Sequence, residues 1–187
     1  MKIALTGPHS CGKSTVFRAI EHKYSGKKIN FISYDGNRAP IDYGNMQKLK
    51  ENPELELDLT NWMIADLIKR EIEATNKYEN VILDRCVIDQ LVYPYVILGK
   101  ELIPDAMKEY VKFWVNARPY DLVFLFPRNE QLLKEFGKKD KSVDFLREID
   151  EGYINLINEY KINIMMLPNS QEEQINTIKK YLERVLK

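Results

Sequence analysis

Short apolar runs alternate along the chain with longer stretches in which apolar positions recur every three or four residues. Ile3, Ala4 and Leu5 lead into Thr6 and a turn at Gly7 and Pro8, the pattern of a parallel strand buried on both faces. Runs of the same character occupy Ile29 to Tyr34, Val81 to Leu83, Leu122 to Phe126 and Ile162 to Leu167, each closing near a charged residue, a glycine or a proline. Helical spacing fills the intervals: Gly12 to Tyr24, Leu57 to Tyr78, Asp89 to Leu98, Asp105 to Asn116, Val143 to Tyr160 and Gln171 to Leu186. Strands alternating with helices predict an α/β fold of three layers, a parallel five-stranded sheet with helices on both faces.

Two stretches fit neither period. Asp35 to Pro53 carries Gly36, Pro40, Gly44 and Pro53, and reads as an irregular lid or pocket wall. Pro127 to Ser142 gathers Arg128, Lys134, Lys138, Lys139 and Lys141 around Gly137, and reads as a basic lid over about 127–142 or as a solvated surface loop.

The turn after the first strand carries the chemistry. Gly7-Pro8-His9-Ser10-Cys11-Gly12-Lys13-Ser14, followed by Thr15, satisfies the Walker A pattern and lies between a strand and a helix, as that motif requires. Its glycines let the loop close on an anion with its N–H groups turned inward, and the helix that starts there adds its positive end. Residues Gly7 to Thr15 are therefore expected to bind ATP, with Lys13, an exposed loop lysine, reaching the outer phosphates and Ser14 holding Mg²⁺. His9 is expected to point outward or shape the loop, and Cys11 to be sensitive to oxidation. Val81-Ile82-Leu83-Asp84 is an apolar strand ending in an acid, so Asp84 is the second metal candidate; Arg85 would lie beside the same phosphates, or in a surface ion pair. The fold expected is then the three-layer P-loop NTPase fold with a basic lid.

Composition narrows the partners. With 187 residues the chain suits one domain, 1–187. Lys and Arg number 28 and Asp and Glu 28, so no overall field draws it to nucleic acid or an acidic membrane. Two cysteines, Cys11 and Cys86, fit a reduced compartment, and Met1 to Thr6 is too short for a signal or membrane segment, so a cytoplasmic location is expected. The oligomeric state stays open, a homodimer included.

Asp84-Arg85-Cys86-Val87-Ile88-Asp89-Gln90-Leu91-Val92-Tyr93 resembles the Asp-Arg motif and following helix of thymidylate kinases and of the NadR-type ribosylnicotinamide kinases, which are AAA ATPase domains. The spelling Ser10-Cys11-Gly12-Lys13-Ser14-Thr15 is nearer the NadR type. Asp35-Gly36-Asn37-Arg38-Ala39-Pro40 is similar to the segment where that type carries an acid three residues before an arginine and thymidylate kinases an Arg-x-Pro. The chain departs from the family pattern in having Asp35 where Glu is usual and mostly lysines where the lid has arginines. The resemblance implies an ATP- and Mg²⁺-dependent kinase of the P-loop nucleoside and nucleotide kinase superfamily, acting on a small-molecule nucleoside or nucleotide acceptor.

Phosphoryl transfer needs donor and acceptor held in line and charge neutralised at the moving group. Lys13, Arg85 and a lid arginine, Arg147 or else Arg128, are the candidates for that neutralisation, Arg147 being either a lid residue that Asp144, Glu148 and Glu151 alongside could hold open, or half of a plain surface pair with Glu151 or a neighbour of Glu148. Asp35 would accept a proton from the acceptor hydroxyl or orient it, or else starts the turn at Gly36; Arg38, with Arg85 and Arg128, would bind the acceptor. Two guanidiniums, Arg38 and Arg85, facing one pocket favour an acceptor that already bears phosphate. Tyr34, Tyr43, Trp62 and Tyr93 offer a stacking wall or plain core. The rival class is a P-loop ATPase or nucleotide-binding regulator; a GTPase is disfavoured, because Asn76-Lys77-Tyr78-Glu79 only approximates the guanine-reading motif and Asp84 begins no Asp-x-x-Gly switch.

Overall fold

The computed structural model describes residues 1–24, 26, 29–34, 38–42, 45–129 and 143–186. The strands are β1 Lys2–Thr6, β2 Asn30–Ile32, β3 Val81–Asp84, β4 Leu122–Leu125 and β5 Ile164–Met166. They form one parallel sheet in the order β2-β3-β1-β4-β5. Among the described residues the helices are α1 Lys13–Tyr24, α2 Met46–Glu51, α3 Pro53–Lys77, α4 Asp89–Leu98, α5 Asp105–Ala117, α6 Val143–Tyr160 and α7 Gln171–Val185, with a 3-10 turn at Lys100–Leu102.

The continuous apolar runs have a simple cause. Successive strand residues face opposite sides of a sheet, and here both sides are covered. Ile3, Leu5, Ile82 and Phe124 pack against Phe17 of α1 and Ile178 of α7. Their neighbours Ala4, Leu83 and Val123 pack on the other face against Leu67 of α3, Leu91 of α4 and Ile149 of α6. Helices thus cover both faces, as the sequence pattern predicts.

Three local expectations need correction. Helix α3 begins at Pro53 rather than Leu57, because proline suits the first helical position and Glu54 and Glu56 favour the positive end. Within the stretch read as irregular lies α2, started by Asn45, whose side chain accepts the Lys48 N–H at 3.0 Å. The edge strands β2 and β5 are shorter than their apolar runs, having a partner on one side only. Residues 130–142 of the basic lid lie outside the described residues.

Helix α3 carries two buried acids, Glu56 and Glu71. Glu71 accepts from Lys2 Nζ at 3.0 Å, Trp114 Nε1 at 2.9 Å and the Tyr120 hydroxyl, tying α3 to β1 and α5. Glu56 is less well served: it is 3% exposed, Thr60 donates to its Oε1 at 3.4 Å, and Oε2 has no hydrogen-bond partner. Burial pushes its carboxyl from 4.5 to about 7, against the opposing Thr60 hydroxyl. The folded chain therefore holds this proton to higher pH than the unfolded chain does, a contribution present below 4.5 and lost as pH rises through about 7. Glu56→Gln is expected to unfold at higher urea than the parent at about pH 8, by about 1–3 kcal/mol, with the gap closing near about pH 5. Equal midpoints at both pH values would remove this account of Glu56.

Candidate active site

β1 is the central strand. It pairs Leu5 with Asp84 of β3 on one side and Thr6 with Leu125 of β4 on the other. The chain passes over β1 in going from β3 to β4, so the crevice at the carboxyl ends of these strands is where an open α/β sheet places its ligand.

The loop leaving β1 has three positive φ angles, Gly7 at 142°, Ser10 at 57° and Gly12 at 87°. At Gly7 the backbone also runs against β4: a Cβ there would stand 2.8 Å from the Phe126 carbonyl oxygen and 2.9 Å from its Cβ. Gly7→Ala is expected to cost about 1–3 kcal/mol in folding stability and to weaken nucleotide binding, since neither contact is a flexible side-chain tip. Chemical denaturation and ATP titration check it. Thr15 and Val16 N–H donate to the Gly12 carbonyl at 3.1 and 3.2 Å, starting α1, and the N–H groups before them lie outside the helical ladder, as at any helix start. Ser14 and Thr15 are exposed at this end.

Lys13, expected on an exposed loop, is the first residue of α1 and only 6% exposed, and its charge acts on Asp84 at the end of β3. Cys11 is 2% exposed among the apolar side chains under α1 and α7, which takes its thiol away from oxidants and corrects that expectation. Pro8 is buried, and the His9 ring packs on Tyr93 of α4, centroids 4.5 Å apart at 49°. His9 shapes the loop.

Asp84 ends β3 and is 8% exposed. Burial raises its pKa, with Lys13 and Arg85 pulling it back down, so all three charges act on one place. Arg85 has φ 91°, rare for a residue with a side chain, and its N–H donates to the Leu5 carbonyl at 2.9 Å. Its guanidinium lies 3.5 Å from Asp89 and 5.7 Å from the centre of the Tyr34 ring. The ion pair is therefore not at the surface: the Asp89 side chain is wholly buried. Burial works against the Arg85 charge, but Asp89, Tyr93, Tyr153 and Asp84 outweigh it and hold the cation above its ordinary range.

Asp89 and Tyr153 are the residues that sequence reasoning missed. Asp89 entered it as the start of a helix and as part of the Asp-Arg segment, with no role of its own, yet it accepts from Thr6 Oγ1 at 2.5 Å, Cys86 N–H at 2.7 Å and the Tyr153 hydroxyl at 2.7 Å. The spacing of Asp89 four residues after Arg85 was the available signal. Tyr153, in the middle of α6, carried none.

Toward β2, the buried Tyr34 has its hydroxyl pKa raised by desolvation, with the charges of Arg85, Asp66 and Arg70 also acting on it. Asp66 and Arg70 pair at 2.8 Å on α3, and Arg70 Nη1 donates to the Ser33 carbonyl at 3.3 Å. Arg70 is thus a second guanidinium near Tyr34, whereas Arg38 is exposed. Trp62 is half-buried on α3. Asp35 and Tyr43 lie outside the described residues. Of the lid candidates, Arg128 faces Asp150 of α6 at 3.7 Å, and Arg147 pairs with Asp144 at 3.4 Å on an exposed face of the same helix. Of the acids expected beside Arg147, it is Asp144, one turn before it, that pairs with it. Among the described residues no group of three or more His, Cys, Asp or Glu is placed to hold a metal ion. A magnesium ion carried on phosphates needs no such cage.

A family model described as an AAA domain matches residues 2–174. A thymidylate kinase of Malacoplasma penetrans (strain HF-2) is 27% identical over 168 residues, which cover 86% of this chain and 78% of that protein. Among solved structures, deoxyadenosine kinase from M. mycoides with the products dCMP and a flexible dCDP bound matches with a TM-score of 0.73 at 17% identity, over 98% of this chain and 100% of that one. The same enzyme with dATP bound matches at 0.71 and 18% identity, over 98% and 99% of the two chains. At such identities these structures speak for the fold, and the three-layer P-loop kinase fold is the one observed.

Proposed function

From a chain that belongs to the AAA domain family we propose an enzyme that binds ATP with Mg²⁺ through Gly7 to Thr15 and transfers a phosphoryl group to a nucleoside or nucleoside monophosphate. The observation that carries this is the convergence of Lys13, Asp84 and Arg85 at the adjoining carboxyl ends of β1 and β3.

The loop N–H groups and the start of α1 would hold the phosphates, with Lys13 neutralising the outer ones. The Ser14 hydroxyl and the Asp84 carboxylate are hard oxygen donors, and one or two such groups plus phosphate oxygens suit magnesium. Bound there, the ion would neutralise charge developing on the phosphates. Arg85, kept cationic and partly buried at 18% exposure, would meet the transferred group or the acceptor's own phosphate. Arg147 or Arg128 would close from the lid side, and Asp35 would serve the acceptor hydroxyl. Among the described residues no helix is long and apolar enough to cross a membrane; a cytoplasmic location, one domain over 1–187 and no nucleic-acid partner complete the proposal.

A nucleoside monophosphate is the favoured acceptor, because guanidiniums gather toward Tyr34 and the Malacoplasma relative is a thymidylate kinase. The test is a coupled ADP-release assay over nucleosides, their monophosphates and nicotinamide riboside, with parent and Arg70→Ala. A monophosphate should turn over fastest, and the variant should lose mainly that activity. A faster unphosphorylated acceptor would overturn the monophosphate assignment. ADP release indifferent to every acceptor would favour an ATPase or regulator.

A further inference from the structure

One buried carboxylate touches both sides of the proposed site. Asp89 is 1% exposed. Its Oδ2 takes the Thr6 hydroxyl and the Cys86 N–H, which hold it to the end of β1 and the turn after β3. Its Oδ1 faces Arg85 Nη1 at 3.5 Å and the Tyr153 hydroxyl at 2.7 Å. The same hydroxyl lies 3.1 Å from the carbonyl oxygen of Gly7, the first residue of the phosphate loop.

A phenol has one proton to give. Gly7 O and Asp89 Oδ1 are both acceptors, so at any instant the Tyr153 hydroxyl serves one more fully than the other. A carboxylate whose charge is met by a guanidinium is the weaker competitor for that proton. With Arg85 close to Asp89, the hydroxyl is freer to hold Gly7; with Arg85 drawn off to a phosphate, the carboxylate claims it.

We propose that Asp89 is a positioning residue that couples Arg85 to the phosphate loop through the Tyr153 hydroxyl, so that engagement of Arg85 by an anion is felt at Gly7. The proposal rests on the phosphate loop binding ATP, and not on which acceptor is used.

The plain alternative is that Asp89 only satisfies buried donors around the start of α4. Double-mutant cycles separate the two, because residues acting as one unit give losses that do not multiply. Mg·ATP affinity is measured by calorimetry, and acceptor-dependent turnover in parallel, for Tyr153→Phe, Asp89→Asn, Arg85→Ala and their pairs. Tyr153→Phe should weaken ATP binding about fivefold to tenfold in the parent and less than about twofold when Asp89→Asn or Arg85→Ala is already present. Losses that multiply in both pairs, or ATP affinity within about twofold of the parent in Tyr153→Phe, would overturn it. If Asp89→Asn does not fold, the Tyr153→Phe and Arg85→Ala pair decides alone. A non-additive binding cycle without acceptor-dependent turnover would leave the coupling standing and remove the kinase reading; a parent without ATP affinity would remove both.

Discussion

Lys13→Ala should lower turnover at least about 100-fold and ATP affinity about tenfold or more, the scale of losing one preorganised charged donor at a reacting phosphate. The side chain is 6% exposed and its charge acts directly on Asp84. Two effects therefore add on removal. The outer phosphates lose their cation, and the Asp84 carboxyl, already raised by burial, loses the first of the charges that lower it. Its pKa should climb further, so the variant should hold metal less well and lose more activity toward acid than the parent does. Calorimetric titration with Mg·ATP and a pH series of turnover measure both. ATP affinity within about twofold of the parent would remove the central assignment of the loop. Because Lys13 is buried rather than loose on the loop, thermal unfolding belongs beside these measurements, to separate a damaged site from a damaged fold.

For Asp84→Asn the expected result is a selective one: turnover down about 100-fold, Mg²⁺-dependent strengthening of ATP binding mostly lost, and metal-free nucleotide binding nearly unchanged. Asparagine keeps the shape and removes a charge that burial disfavours, since desolvation leads the upward shift of this carboxyl. Folding stability should accordingly hold or rise while activity falls. Metal titrations of variant and parent that coincide would make Asp84 a structural residue only.

These two residues belong to the part of the site that was legible in the sequence, and the reason is local. The loop, the start of α1 and the acid closing β3 are written in contiguous residues, each fixed by a backbone requirement at Gly7, Gly12 or a strand end. The strands were legible because two covered faces demand apolar residues at every position from Ile3 to Leu5. What sequence could not supply was partnership across the chain. Tyr153 reaches Gly7 from the far side of the sheet's carboxyl end, and Glu71 collects Lys2, Trp114 and Tyr120 from three separate segments. Helix starts were misread where polar signals outweighed apolar period, at Pro53 and at Asn45. Arg147 and its neighbour Asp144 were legible as a pair, but residue type says nothing of how exposed the face is on which they meet.

The placing of β1 at the centre of the sheet governs when the phosphate loop can exist. Both neighbours of β1 come from far along the chain, at Val81 and Leu122, and parallel pairing gives no short hairpin to start from. Contacts so distant in sequence carry a loop-closure cost before they repay it, which slows folding. During synthesis, Gly7 to Thr15 leave the ribosome well before Phe126, their second wall, which is in place only after β4 has emerged. ATP affinity should therefore appear late in refolding, together with the closing of β4 onto β1, and nucleotide added at that stage would pull the last step forward by binding only the completed sheet.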